Sequence, residues 1–217
     1  MEAFVDSILR LMTLEEKLGQ LNQPTGPGPT TGPAARAGSE AEIRAGRIGS
    51  FLSVNGAAHT RSLQRIAVEE SRLGIPLLFA HDVIHGFRTI FPVPIGEAST
   101  WEPDVVQRAA RTAAIEAAAH GIHWTYAPMV DIARDPRWGR IAEGSGEDPY
   151  LGSVMARARV RGFQESVLAT VKHFAAYGAA EAGRDYNTVD LSERTLREIY
   201  LPPFKAAVDA GAASIMT

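Results

Sequence analysis

Residues 75–80, IPLLFA, are apolar without a break and run directly into His81-Asp82. Alternating apolar and polar residues would mark a strand with one face in water. An unbroken apolar run marks a strand buried on both faces, the condition of a parallel strand flanked by helices. The pattern recurs: RIGSFL (47–52), GIHWTYAP (121–128), VLATVKHFAA (167–176) and AASIMT (212–217) read as further strands. Helical spacing fills the intervals. Residues 3–21 carry Leu9, Leu11, Leu14, Leu18 and Leu21 on apolar faces, and Ser39 with Glu42 forms a capping box for a short helix closing near Gly46. LQRIAVEESRL leads to Gly74 as its stop, and Pro103 opens a helix that ends at His120 before Gly121. Glu147-Asp148-Pro149 starts a helix over about 150–165, and Ser192 caps one that runs to Gly211 with a kink at Pro202-Pro203. QPTGPGPTTGPAARAG (23–38) is too rich in Pro, Gly and Thr for anything but an exposed loop.

Short turns precede the strands and long loops follow them. That rhythm predicts a parallel α/β fold whose functional groups gather beyond the carboxyl ends of the strands. The expected architecture is the N-terminal portion, about five strands, of a (β/α)8 TIM-like barrel, incomplete because closure takes about eight strands. A doubly wound sheet obeys the same placement rule, but no glycine fingerprint follows the first or second strand.

The loops after the strands carry the chemistry. His81-Asp82, then Arg134 to Glu143, then Lys172-His173 open three successive loops. Within DIARDPRWGRIAEGSGEDPYLG (131–152), guanidinium groups and carboxylates crowd around Trp138 with few core-forming residues. Acids and bases alternate rather than forming one positive patch, so the set suits hydroxyls of a neutral polyol better than an anion. Charge-assisted hydrogen bonds of this kind are roughly twice as strong as neutral ones. Trp124, Tyr126 and Trp138 are candidates to stack on a pyranose face. Two plainer readings stand beside this one: the Arg/Asp-rich loop as a structural salt-bridge knot, and Asp82 as a helix cap. Lys172 and His173 are adjacent, so a regular strand would point them to opposite faces. Both reach one ligand only where the strand ends or bends, and the expectation is a departure from trans extended geometry within 171–175, a cis peptide included. Tyr177, Arg184 and Asp185 lie on the following loop as candidates for the far side of a substrate.

Net charge of −3 speaks against nucleic acid and anionic lipid as partners, and the absence of cysteine excludes disulfides and thiolate ligands. His81 and His85 stand four apart, a zinc-like spacing, but they follow a strand, the HExxH glutamate is missing and no third ligand is evident; no metal and no cofactor are expected. No segment approaches the ~20 apolar residues of a membrane helix. The N-terminus lacks the basic start and apolar run of a signal peptide, and a cytoplasmic and a mature exported protein would read alike, so localisation stays open.

TLEEKLGQLNQ, SRLGIPLLFAHDVIHGFRTIFPVPIGEAST, APMVDIARDPRWGRIAEGSGEDPYLG, VLATVKHFAAYGAAEAGRDYNTVDLSERTLREIYLPPFKAAV and GAASIMT closely resemble the N-terminal domain of glycoside hydrolase family 3, especially its bacterial β-glucosidases. The resemblance spans nearly the whole chain, and RDPRWGR followed by KHF on the next strand is highly specific. It implies retaining exo-hydrolysis of terminal nonreducing β-D-glucosyl residues, with Asp82, Arg140, Lys172 and His173 holding the glucose. Glu143 would orient Arg140, while Asp131, Arg134 and Asp135 would brace the loop. The family's nucleophilic aspartate is expected beyond Thr217 and its acid/base glutamate in a second domain, so residues 1–217 read as a partial catalytic barrel domain without a catalytic residue. Retaining hydrolysis needs two carboxyl groups roughly 5 Å apart, so the isolated chain is expected to be inactive. Two alternatives are a β-N-acetylglucosaminidase of the same family and a noncatalytic sugar-binding protein. The first is opposed by KHFAAYGAAEAG, which has no histidine where that subgroup's KHFPGHG-like stretch carries one. An incomplete sheet also exposes an edge, and self-association through it is expected.

Overall fold

The computed structural model describes residues 2–26 and 36–217; most of the expected Pro/Gly/Thr loop, residues 27–35, lies outside them. The chain divides into two compact units, the first running to His81 and taking in Ala119–His123, the second comprising Asp82–Ala118 and Trp124–Thr217.

The first unit contains α1 (Glu2–Leu11), α2 (Leu14–Gln20), α3 (Glu40–Arg44), β1 (Ser50–Leu52), α4 (Ala57–Arg65) and β2 (Leu78–His81). β1 and β2 are parallel, with Phe51 opposite Phe79 and Leu52 opposite Ala80. Ile43, Phe51, Ile66, Leu77 and Phe79 form its core. The single helix expected over 3–21 is two helices. Thr13 accepts the Glu16 N–H with its side chain, and the Glu16 carboxylate accepts the Thr13 N–H at 2.8 Å. TLEE is thus a capping box that restarts the helix rather than a stretch of its interior. The box at Ser39 and Glu42 forms as expected. α4 continues into a π-helical turn, Ile66–Glu70, and Gly74 takes φ +61° in the bend beyond it.

The second unit contains α5 (Pro94–Ala98), α6 (Pro103–Ala119), β3 (Trp124–Thr125), α7 (Pro149–Phe163), β4 (Leu168–Lys172), α8 (Glu193–Thr195), α9 (Leu201–Asp209) and β5 (Ser214–Met216). β3 pairs with β4 and β4 with β5, all parallel, with Lys172 opposite Met216. Asp148 starts α7 by accepting the Leu151 N–H at 2.6 Å, and Ser192 starts α8 by accepting that of Thr195. A π-helical turn, Leu196–Tyr200, leads into Pro202-Pro203, where two consecutive residues without an N–H interrupt the helical ladder. α7 and α9 pack on β4 through Ala156, Val160, Val171, Phe204 and Ala207. α6 meets α7 closely enough that a Cβ on Gly162 would lie 2.4 Å from the Gln107 carbonyl.

The fold is α/β with five parallel strands, as expected, but the strands are shorter than their apolar runs. β3 shows the reason. Pro128 has no N–H to give to a ladder, and the regular strand ends at Thr125. The carbonyls of Ala127 and Pro128 still accept from Thr170 and Lys172, and pairing continues irregularly to the rim.

Candidate functional site

Asp82 follows β2 directly in sequence, the 131–143 segment follows β3, and His173 follows β4. Lys172 is the last residue of β4 and only 4% exposed. A buried ammonium needs a counter-charge, and Lys172 Nζ donates to Asp82 Oδ1 at 2.9 Å. Asp82 is therefore an ion-pair partner, not a helix cap. The Lys172–His173 and Phe174–Ala175 peptides are both cis, so the chain leaves regular extended geometry where that was expected. His173 turns to Asp131: its backbone N–H and its ring Nδ1 lie 3.0 and 2.9 Å from the same carboxylate oxygen, Oδ2. A carboxylate only accepts, so Nδ1 carries the proton and Nε2 is left as the ring's second hydrogen-bonding atom. Asp131 is itself buried, and among the described residues its Oδ1 has no hydrogen-bond partner.

Arg140 lies on the 3-10 turn Gly139–Glu143. Its Nε and Nη2 grip the two oxygens of Glu143 at 2.6 and 2.9 Å, a bidentate fork that leaves the Nη1 edge outside it. The Glu143 carboxylate raises the Arg140 pKa further, so this cation stays charged throughout the accessible pH range. Arg140 Cζ also stands 5.5 Å from the centroid of the Tyr177 ring. Tyr177 in turn meets His173 edge to face at 5.0 Å. Asp82, Lys172, His173, Tyr177, Arg140 and Glu143 thus form one continuous series of contacts. Sequence reasoning had placed Tyr177 on the far side of a substrate, not between two of its candidate ligands.

The supporting residues divide. Asp135 accepts the Arg137 N–H at 2.9 Å and pairs with the Arg137 guanidinium, which holds its carboxyl at about 2. Arg134 braces the loop through its backbone, donating its N–H to the Gly178 carbonyl, while its side chain is exposed. The aromatic expectation is corrected. Trp138 is 1% exposed and Tyr126 8%, so neither has an open ring face for a sugar. Trp138 instead donates Nε1–H to Asp185 at 2.9 Å. Trp124 donates to Thr170 and lies near Ser214, one layer below Lys172 and Met216 in the strand register.

One pair went unread in the sequence. Arg159, on α7, is 4% exposed and pairs with Glu97 of α5 at 2.5 Å, with the Pro94 and Ile84 carbonyls as further acceptors. Burial pushes the Glu97 carboxyl up and the Arg159 guanidinium down, the direction desolvation imposes on any charge. ARARVRGF has no feature that separates Arg159 from its solvated neighbours. Among the described residues no group of three His, Cys, Asp or Glu side chains is placed to hold a metal ion, and His85 Nδ1 lies 3.0 Å from the Phe91 carbonyl.

The model of the glycosyl hydrolase family 3 N-terminal domain matches residues 13–217. A periplasmic β-glucosidase of Salmonella typhimurium is 45% identical over 99% of this chain and 28% of its own length. A β-xylosidase of Formosa agariphila is 41% identical over 69% of this chain and 24% of its own. Among solved structures, a β-glucosidase from Listeria innocua in complex with glucose aligns with a TM-score of 0.90 and 40% identity, covering all of this chain and 33% of that one. The chain therefore spans about a third or less of the length of these relatives.

Proposed function

The chain belongs to glycosyl hydrolase family 3, and from that premise we propose that it supplies the glycone-binding half of a retaining exo-β-glucosidase. The observation that carries this reading is the series of contacts running from Asp82 through Lys172 and His173 to Arg140. A buried ammonium and a fork-held guanidinium beyond the ends of two strands add little to folding by themselves, because taking charges out of water costs energy that pairing only offsets. They are well suited to a ring of hydroxyls. Asp82 accepts, Lys172 donates, His173 offers Nε2 and Arg140 offers its Nη1 edge, so neighbouring hydroxyls of a hexose find complementary partners. The Salmonella and Listeria relatives, both β-glucosidases by name, support glucose as the sugar.

The same geometry argues against turnover by this chain alone. Each carboxylate around the series is already engaged: Asp82 by Lys172, Asp131 by His173 and Glu143 by Arg140. Each therefore serves to hold a cation or a ring in place, and the retaining mechanism requires two carboxyl groups about 5 Å apart across the glycosidic bond. In the proposed enzyme both come from outside residues 1–217. The β-N-acetylglucosaminidase alternative has no support in the loop after β4, where Tyr177 takes a structural place and no histidine follows. We also propose that the free edge of β5 leads the isolated chain to self-associate.

The test is isothermal titration and ligand-observed NMR with D-glucose, alongside a chromogenic β-glucoside assay. Expected are glucose binding without hydrolysis, and loss of binding in Arg140→Met. An absence of glucose binding at any accessible concentration overturns the reading.

A further inference from the structure

We propose that Tyr177 is a positioning residue that fixes Arg140 and His173 relative to each other, with Asp185 fixing Tyr177. The inference rests on the glycone-site reading above and assigns a role that the four sugar-facing side chains cannot fill for themselves. Arg140 and His173 arrive on different loops. Each is held from behind by its own carboxylate, Glu143 or Asp131. The Arg140–Glu143 fork joins residues three apart on one partly exposed turn, with side chains 25% and 24% exposed. It locks the two residues to each other, and nothing in it fixes where the pair points.

Tyr177 supplies what the fork lacks. Its ring lies under the Arg140 guanidinium at 5.5 Å and meets the His173 ring at 5.0 Å and 81°. The negative face of an aromatic ring attracts a cation, and edge-to-face packing sets the angle of a neighbouring ring. One side chain therefore sets the position of one group and the tilt of the other.

The ring is itself held on several sides. Tyr177 Oη donates to Asp185 Oδ1, the same oxygen that accepts Trp138 Nε1–H at 2.9 Å. Trp138 is buried and packs edge to face on Tyr177 at 5.1 Å. The backbone around it leaves no slack. A Cβ on Gly178 would lie 2.1 Å from the Ile132 carbonyl, and one on Gly183 would lie 2.9 Å from the Trp138 nitrogen. Gly183 also takes φ +64°, which favours glycine. The 177–185 loop is thus seated directly on the 131–138 segment, and Asp185 transmits that seating to the Tyr177 hydroxyl.

The experiment uses the 217-residue chain with D-glucose as the probe, and reads glucose affinity together with the Arg140 Nε–H and His173 ring resonances. Tyr177→Leu removes the ring. It is expected to weaken glucose binding about tenfold and to move both resonances. Tyr177→Phe keeps the ring and loses the tether, with an expected loss of about threefold; Asp185→Ala loses the same tether from the other side. Asp185→Ala also strands the buried Trp138 Nε1–H, so the double variant Tyr177→Phe/Asp185→Ala is expected to lose no more than Asp185→Ala alone, because that variant has already removed the Tyr177 tether. A purely structural role would lower the unfolding temperature and leave affinity at 10 °C unchanged. Equal glucose affinity in wild type and Tyr177→Leu overturns the proposal. If the wild type binds no glucose, the glycone reading falls, and the resonances still decide this one: unchanged Arg140 and His173 signals in Tyr177→Leu overturn it. Should Tyr177→Leu fail to fold, additive losses in the Tyr177→Phe and Asp185→Ala cycle overturn it instead.

Discussion

Lys172 Nζ donates to Asp82 Oδ1 across 2.9 Å although 90 residues of chain separate them, and the two side chains are only 5% and 11% exposed. The pair ties the residue after β2 to the last residue of β4. Removing either partner leaves a nearly buried charge alone, which typically costs about 3–5 kcal/mol. Lys172→Met is expected to lower the urea midpoint sharply. The double variant Asp82→Asn/Lys172→Met recovers much of that loss while failing to bind glucose. A double variant that binds glucose like the wild type would remove both residues from the site.

Glu97 and Arg159 make the complementary case, a buried pair with no assigned contact to a ligand. Glu97→Ala is expected to destabilise by about 3–5 kcal/mol, because the buried Arg159 then has carbonyl acceptors but no counter-charge. Replacing both, Glu97→Leu with Arg159→Met, is expected to come within about 1–2 kcal/mol of the wild type. Equilibrium urea unfolding of the three proteins checks this, and glucose affinity is expected to hold in the double variant. The comparison separates buried charge that serves the fold from buried charge that serves a sugar.

What the sequence disclosed and what it hid follow from the range of the interactions. The apolar runs, the Ser39 and Ser192 caps and the Asp148-Pro149 start depend on residues a few positions apart, and each is visible in a short window. The bend at Lys172-His173 was legible because two adjacent polar residues cannot share one face of a strand. Tyr177 is legible as a loop candidate, but its contacts with Arg140 and His173 are not, because the fold and not the sequence order brings those two side chains to it. Arg159 stayed hidden because a buried arginine and a solvated one on the same helix read alike. Trp138 was misread for a related reason: an indole in a polar loop suggests stacking on a ligand, yet here Asp185 satisfies its N–H and the loop closes over the ring.

Acid sensitivity should come from a few paired carboxylates. Glu16 and Glu42 are held at about 2 by Arg72 and Arg36, and Asp135 at about 2 by Arg137, against ordinary values of 4.5 and 3.8. Their folded pKa values are depressed, so between the ordinary range and about 2 the unfolded chain binds protons that the folded chain does not. Stability from these pairs is full above pH 4.5 and declines as pH falls toward 2. Urea midpoints measured from pH 6 to pH 2.5 are expected to fall only in the lower part of that window. Glu16→Gln and Glu42→Gln should each make the fall shallower. High salt should also blunt the parts due to Arg36–Glu42 and Arg137–Asp135, whose guanidinium groups are largely exposed.

The edge of β5 bears on how the isolated chain behaves in solution. β5 pairs with β4 through Ser214, Ile215 and Met216, and the described residues offer it no partner on its other side. Ile215 is 44% exposed, so the edge combines unpaired backbone groups with an apolar side chain. That combination templates pairing with another chain. The 217-residue protein is therefore expected to associate at micromolar concentration, with a mass from light scattering that rises with dilution reversed. Ile215→Lys places a charge on the edge, a device natural sheets use against such pairing, and is expected to shift the population toward monomer. Because Ile215 lies opposite Val171 rather than in the Asp82–Arg140 series, glucose affinity per chain should stay the same in this variant. A wild-type chain that remains monomeric and unfolds cooperatively across that concentration range would show that the edge is protected after all.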